Sequence, residues 1–373
     1  MEPESDDPIP ISDSQQRPPP SDPIDDGSSS AKHDQPLLGT PTPPLPVAAA
    51  VIKELEKKSA AYVRHDLYGP MGRGPLPWIE KLFLAIAFLT IVPVRVILAL
   101  TLLVLYYLIC RVCTLFSAPN REDGQEHYGY MGGWRRGVIV RSGRFLSRAM
   151  LFVLGFYWIK ETKHSPDPGR QLNSECNDLS EESGRPGAII SNHISYLDIL
   201  YHMSSSFPSF VAKWVNFLWL VSSGVVNERV REAHRNKLAP MMMLFPEGTT
   251  TNGDFLLPFK TGAFLATAPV LPLILRYPYR RFSPAWDSIS GVRHVIFLLC
   301  QFVNYLEVRQ LPVYHPSQQE KDNPKLYADN VRRLMAREGN LILSDIGLAE
   351  KRIYHAALNG NNSLHSVLHQ KDE

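Results

Sequence analysis

The sequence predicts an α/β domain on a mixed, largely parallel sheet, preceded by an N-terminal transmembrane or re-entrant helical segment. Three observations carry this. Apolar runs at Ala188–Ser191, Met241–Phe245 and Pro269–Leu275 each read as a buried strand, and the first two open into polar loops. Helix-like periodicity falls between and after them, so strands and helices alternate from Ala188 onward. Upstream, Leu82–Cys110 is apolar apart from Thr90, Arg95, Thr101 and its tyrosines.

Taken in order, the first fifty residues are rich in Pro, Ser, Asp and Gln and nearly free of aromatics, so they are expected to be disordered. Ala49–Lys58 has the pattern of a short helix, and Tyr68-Gly-Pro-Met-Gly-Arg-Gly-Pro breaks the chain. Residues 51–81 form a pre-membrane segment and 82–110 the membrane segment. As one helix the latter would reach about 43 Å against a hydrocarbon core of about 30 Å. Pro93 interrupts its hydrogen bonding, and Arg95 at mid-bilayer would cost roughly 2.5–3.5 kcal/mol. Two arrangements follow: one span with Arg95 snorkelling, or a hairpin of Leu82–Pro93 and Val96–Cys110 with Arg95 at the interface. Arg111, Arg121, Arg135, Arg136, Arg141, Arg144 and Arg148 follow it, and the positive-inside rule then puts the rest of the chain in the cytosol. Residues 111–163 read as a basic juxtamembrane segment. Its Ala149–Ile159 stretch suits either the headgroup level or a core helix. Residues 164–187 read as a surface loop. Residues 188–350 form the main domain, in which Val292–Val303 and Pro324–Glu338 read as helices and Tyr305–Tyr314 as a strand; 351–373 is a tail.

Composition narrows the classes of function. With 373 residues, 44% of them hydrophobic, the chain can bury one sizeable domain beside a membrane segment. A net charge of +2 does not point to nucleic acid. Cys110, Cys113, Cys176 and Cys300 are scattered and suggest no disulfide framework.

The chemistry concentrates in two loops. In Ala188-Ile-Ile-Ser-Asn-His-Ile-Ser-Tyr-Leu-Asp198, a strand turns into a helix start, with Ser191 or Asn192 placed to cap it. A neutral imidazole at His193 would serve as a general base, and Asp198 on its other ring nitrogen would fix the tautomer and stabilise the cation formed. Five positions on a helix turn through about 500°, so the pair can meet only if His193 lies in the turn before the helix. The second loop, Phe245-Pro-Glu247-Gly-Thr-Thr-Thr-Asn-Gly253, presents a carboxylate, hydroxyls and backbone N–H groups to a polar ligand. No G-x-S-x-G elbow occurs.

With Pro258-Phe-Lys260-Thr-Gly-Ala-Phe and Val270-Leu-Pro272 after them, these blocks resemble the glycerolipid acyltransferase family. Its blocks are N-H-x4-D, a glycine-rich block ending in Arg, F-P-E-G-T, and an apolar V-P-[IV]. The text around EGTTTNG, with Arg64-His-Asp-Leu-Tyr-Gly and Ser195-Tyr-Leu-Asp-Ile-Leu-Tyr-His, resembles the lysophospholipid acyltransferase branch over roughly Ala49 to Gly360. The resemblance implies acyl transfer from acyl-CoA to the hydroxyl of a lysophospholipid such as lysophosphatidylethanolamine or lysophosphatidylcholine. His193 and Asp198 are then catalytic, and Asn192, Glu247, Gly248, Thr249 and Lys260 bind substrate. No metal or organic cofactor is implied. The partners are acyl-CoA, lysophospholipid and membrane lipids, and the expected location is the endoplasmic reticulum membrane with the catalytic domain cytosolic.

The chain departs from the family at one block. Val211-Ala-Lys213 passes directly to Trp214-Val-Asn-Phe-Leu-Trp-Leu, and family-like text resumes at Asn227-Glu-Arg229, so the glycine-and-arginine block is missing near 213–227. The alternative this raises is a catalytically impaired, membrane-bound form that binds lipid or a full-length partner. A lipid hydrolase using His193 to activate water is a third reading.

Overall fold

The computed structural model describes residues 53–116, 120–122, 125–127, 133–163, 185–210 and 219–359. The tail expected over the first fifty residues, most of the 164–187 loop and the junction at Lys213 lie outside the described residues.

Ten strands occur among them, six in one sheet. A small antiparallel pair, β1 (Asn120–Glu122) and β2 (Gln125–His127), follows the first long helix. The main sheet has the order β3 (Ile159–Lys163), β9 (Leu306–Gln310), β8 (Val270–Arg276), β4 (Ala188–Ser191), β6 (Met242–Leu244), β5 (Ser209–Phe210). All neighbours are parallel except β8 and β9. The sheet is therefore mixed and largely parallel, and Ala188 pairs in register with Met242 on one side and Val270 on the other. A short parallel pair, β7 (Phe255–Leu256) and β10 (Ile342–Leu343), stands apart.

The period-2 alternation of the strands splits the core into two layers. Ile189, Met243, Leu273 and Leu275 face one side. There they meet α1 (Trp78–Thr114), α2 (Gly133–Val153), α3 (Leu197–Ser205) and α5 (Gly291–Cys300). Ala188, Ile190, Met242, Val270 and Ile274 face the other, beneath α4 (Trp219–Arg235) and α7 (Pro324–Gly339). The short α6 (Gln318–Asp322) precedes α7, whose start is set by Pro324 at its first position and an Asn323 cap. A third cluster joins Ala61, Tyr62 and Val63 to Leu257 and to Tyr354 of α8 (Leu348–Leu358).

Three points of the sequence reading are decided here. First, α1 is a single helix that runs through Pro93, so the hairpin is not formed. It reaches about 55 Å. One stripe (Ala87, Val92, Arg95, Cys113) packs inward, while Leu89, Ile97, Leu100, Val104, Tyr107 and Val112 are exposed. By length and composition it can cross a membrane.

Second, the Arg95 guanidinium turns into the domain rather than out along the helix. It is buried, and its guanidinium donates to the carbonyls of Leu299 (2.8 Å), Gln301 (2.5 Å) and Phe302 (2.9 Å) and to the Tyr157 hydroxyl (3.1 Å). A cation on the carbonyl end of α5 meets the negative pole of that helix. Third, of the two places open to Ala149–Ile159, the domain core is the one it takes. Met150, Leu151, Leu154 and Phe156 are core residues, and Ile159–Lys163 adds a strand to the sheet edge. Arg148 donates to the carbonyls of Phe156 and Tyr157, and Arg144 to that of Ser204.

Candidate active site

The site lies where β4 and β6 end at their carboxyl edges, the usual place for ligand chemistry in an open parallel sheet. Strand β4 is wholly buried and stops at Ser191. Asn192 then leaves the ladder, and its side chain takes over the pairing with β8. Its Oδ1 accepts from Leu275 N (2.8 Å) and its Nδ2 donates to Leu275 O (3.0 Å). Both polar ends of this buried amide are thereby occupied, so Asn192 shapes the turn rather than facing a substrate. Neither Ser191 nor Asn192 caps the helix that follows; Ser191 Oγ donates to Asn192 O.

Asp198 holds the turn before that helix instead. It stands second in α3 and reaches back, its Oδ2 accepting from the N–H groups of Ile194 (2.7 Å) and Ser195 (2.9 Å). His193 sits in the turn before α3, and its Nδ1 lies 2.9 Å from the same Oδ2. Because Oδ2 is an acceptor, the Nδ1 proton faces it, and the Nε2 lone pair points away. The other oxygen, Oδ1, accepts from the Tyr277 hydroxyl at 2.6 Å. Burial and the adjacent Asp198 charge hold that phenol protonated, well above its ordinary range. The imidazole stacks on Phe245 at 4.1 Å and is 19% exposed, whereas Asp198 is fully enclosed.

The second loop holds the backbone of the first. Glu247 Oε1 accepts from His193 N (2.8 Å), and Oε2 accepts from Leu257 N (2.9 Å). Thr251 N donates to His193 O (2.9 Å). Both main-chain groups of His193 are therefore fixed by Phe245–Gly253. Burial pushes the Glu247 carboxyl up to about 8, against the pull of its two backbone donors. Gly248 adopts φ +71°, and a Cβ there would stand 2.5 Å from Lys260 Nζ. The exposed Lys260 thus lies across Gly248, beside the turn that carries Thr249. Thr249 Oγ1 accepts from Lys351 Nζ (3.2 Å).

The geometry brings His193, Asp198, Glu247, Gly248, Thr249 and Lys260 to one edge of the sheet and sends Asn192 into its interior. Phe245 and Thr251, from the loop already singled out, complete the arrangement with Tyr277 and Lys351, which were not anticipated. Tyr277 carried a usable signal, since it follows strand β8, which neighbours β4. Lys351 carried none. His202, one turn beyond Asp198 in α3, is buried, edge-on to Phe245, and pushed down to about 4 by desolvation. Neither of its ring nitrogens is hydrogen-bonded. Among the described residues, no three His, Cys, Asp or Glu side chains gather as a metal site.

No protein-family model matches the chain. It is 58% identical to Lysophospholipid acyltransferase LPEAT1 of Arabidopsis thaliana, over 92% of this chain and 96% of that one. That alignment runs over 387 positions although it takes in only part of these 373 residues, so several tens of residues of the relative have no counterpart here. The chain is 32% identical to Lysophosphatidylcholine acyltransferase 1 of Homo sapiens, over 75% of this chain and 54% of that one, and so spans about half of the human protein. Among solved structures, the 1-acyl-sn-glycerophosphate acyltransferase PlsC of Thermotoga maritima matches with a TM-score of 0.35 at 15% identity, over 70% of this chain and 97% of that one.

Proposed function

Because the chain belongs to the lysophospholipid acyltransferase family, we propose that it moves an acyl chain from acyl-CoA to the free hydroxyl of a lysophospholipid, lysophosphatidylethanolamine first and lysophosphatidylcholine second. The observation that carries this reading is the His193–Asp198 pair, with Nε2 turned outward beside a loop that grips the His193 backbone on both sides.

In this reaction His193 Nε2 takes the acceptor's hydroxyl proton as its oxygen attacks the thioester carbonyl. The C–O ester bond forms, the C–S bond breaks, and the imidazolium returns the proton to the departing thiolate. Asp198 stabilises the imidazolium while it exists, and Tyr277 keeps the carboxylate from swinging away. The substrate brings its own nucleophile, so no acyl-enzyme forms. Glu247, Gly248 and Thr249 shape the acceptor pocket, and Lys260 offers a cation to a phosphate of the lipid or of CoA. The chemistry asks for no metal or organic cofactor.

The exposed apolar face of α1 supports insertion in a membrane. The arginines after it support a cytosolic catalytic domain in the endoplasmic reticulum membrane, where acyl-CoA is available. An engineered glycosylation site in the 164–187 loop should stay unmodified in microsomes, and its glycosylation would invert this topology.

The residues missing relative to the plant enzyme favour a slow version of the same reaction. Membranes carrying the chain, given labelled acyl-CoA and a panel of lysolipids, should yield acylated lipid. His193→Ala should lower the yield about 10²–10⁴-fold with protein abundance unchanged. Free fatty acid as the product would identify a hydrolase. No reaction would identify the impaired, lipid-binding form.

A further inference from the structure

Two stretches outside the recognised blocks converge on the Glu247–Gly253 loop. From the amino-terminal side, the carbonyls of Ala60 and Val63 accept from Asn252 Nδ2 (2.9 and 3.0 Å), and that of Ala61 from Asn252 N (2.8 Å). From the carboxyl-terminal side comes Lys351, in the first turns of α8. Its Nζ donates to Thr250 O (2.7 Å), Thr250 Oγ1 (2.8 Å) and Thr249 Oγ1 (3.2 Å). An ammonium has three protons, and here each has an oxygen. The two stretches are also tied to each other, since Tyr62 Oη donates to Gly347 O (2.8 Å) and the Tyr62 ring lies 5.2 Å from Lys351 Nζ.

The loop passes this restraint to the catalytic turn by separate routes. Thr250 Oγ1 donates to Trp286 O (2.5 Å), and Trp286 N donates to Ile194 O (2.9 Å), next to His193. Glu247 and Thr251 hold the His193 main chain itself. We propose that Lys351 is a positioning residue for the transfer reaction: it locks the Glu247–Gly253 loop, and through it the His193 turn, in the reactive geometry. The role rests on the reading of His193 as the base.

Lysine suits the position better than a neutral donor. An amide offers two protons and a hydroxyl one, so either would leave at least one of these threonine oxygens unmatched. Burial works against the charge and pushes the ammonium down to about 8, while Asp287 and Glu247 pull the other way. A lysine this enclosed is retained only where its bonds are all made.

The test uses the full chain in detergent, with Lys351→Met, Thr250→Val and Thr250→Ser. Lys351→Met and Thr250→Val should each lower kcat about tenfold or more, with KM for acyl-CoA changed by less than about twofold, because the base is misplaced rather than the donor released. Thr250→Ser keeps the hydroxyl and should recover most of that loss. In the two impaired variants, amide exchange should quicken about tenfold in peptides covering 190–198 and 246–257, and stay unchanged in α7. Unchanged exchange in the loop with normal kcat would overturn the proposal. So would faster exchange throughout α7, which would mark a general loss of stability. If the unmodified chain transfers no acyl group, the reaction reading fails, and the exchange measurement alone still decides the clamp.

Discussion

Replacing Asp198 by Asn separates the charge of the carboxylate from its geometry. Oδ2 faces three donors, the N–H groups of Ile194 and Ser195 and the Nδ1 proton of His193, whereas Oδ1 faces only the Tyr277 hydroxyl. An amide placed here can orient only one way, with its oxygen towards the turn and its NH₂ towards Tyr277, whose hydroxyl rotates to accept. The turn before α3 and the histidine tautomer should both survive, so the variant should fold with little loss of thermal stability. What disappears is the negative charge beside the imidazolium. Unit charges about 4 Å apart at an effective dielectric of about 20 attract by about 4 kcal/mol, or nearly three orders of magnitude in rate. The imidazole is 19% exposed and water screens part of this, so we expect a loss of about 10²–10³-fold. Turnover of labelled acyl-CoA with a lysophospholipid, set beside a melting curve in detergent, measures both halves. A near-normal rate would show that Asp198 does no electrostatic work on His193. A variant that fails to fold would show that the amide cannot adopt this orientation, and that the turn held by Asp198 depends on charge.

Other outcomes follow from the same contacts. Arg95→Leu strips the donors from three carbonyls at the end of α5 and should cost about 3 kcal/mol, read as a melting point lower by about 5–10 °C; an unchanged melting point would mean that these carbonyls find other donors. His202 and His294 both sit at about 4 in the folded chain, below the usual histidine value, because burial disfavours the cation. The unfolded chain therefore takes up protons first, and each should lose roughly 2 kcal/mol of stability as pH falls from 7 to 5, with further loss until about 4. His202→Phe should flatten this acid limb in pH-dependent unfolding, and an unaltered limb would remove His202 as a cause. Inserting the glycine-and-arginine block of a full-length relative after Lys213 should raise turnover by about two orders of magnitude, on the proposal that this block supplies a charged contact to the acceptor phosphate worth roughly 1.5–3 kcal/mol and part of the wall beside it. Full turnover in the unmodified chain would contradict that role for the block.

The parts legible in the sequence were those whose cause is local. Short continuous apolar runs gave away β4, β6 and β8, and periodic apolar residues gave away α5 and α7. For the His193–Asp198 pair, the angle a helix turns per residue set the condition, met in the fold, that His193 lie in the preceding turn. What stayed hidden depends on partners far along the chain. Ile159-Lys-Glu-Thr-Lys163 is polar in four of its five positions, as an exposed edge strand can be, because its ladder to β9 is made by the backbone. Asn192 looked like a ligand residue because an amide that mends a sheet and one that binds a substrate are the same side chain. Only Leu275 at hydrogen-bonding distance tells them apart.

Arg95 shows most plainly why hydropathy alone misjudges such a segment. A hydropathy scale sets the guanidinium against lipid, and on that basis Pro93 and Arg95 together suggested a break in the helix. In the fold, Arg95 points away from the exposed apolar stripe into the domain, where the carbonyl end of α5 needs cations as much as Arg95 needs acceptors. With Arg95 fastened there two residues after Pro93, and Ala87 and Val92 packed in the same core before it, both sides of the proline are anchored to one surface. The helix then has no reason to fold back at Pro93. The residue that seemed to argue against a continuous helix is the one that fixes that helix to the rest of the domain.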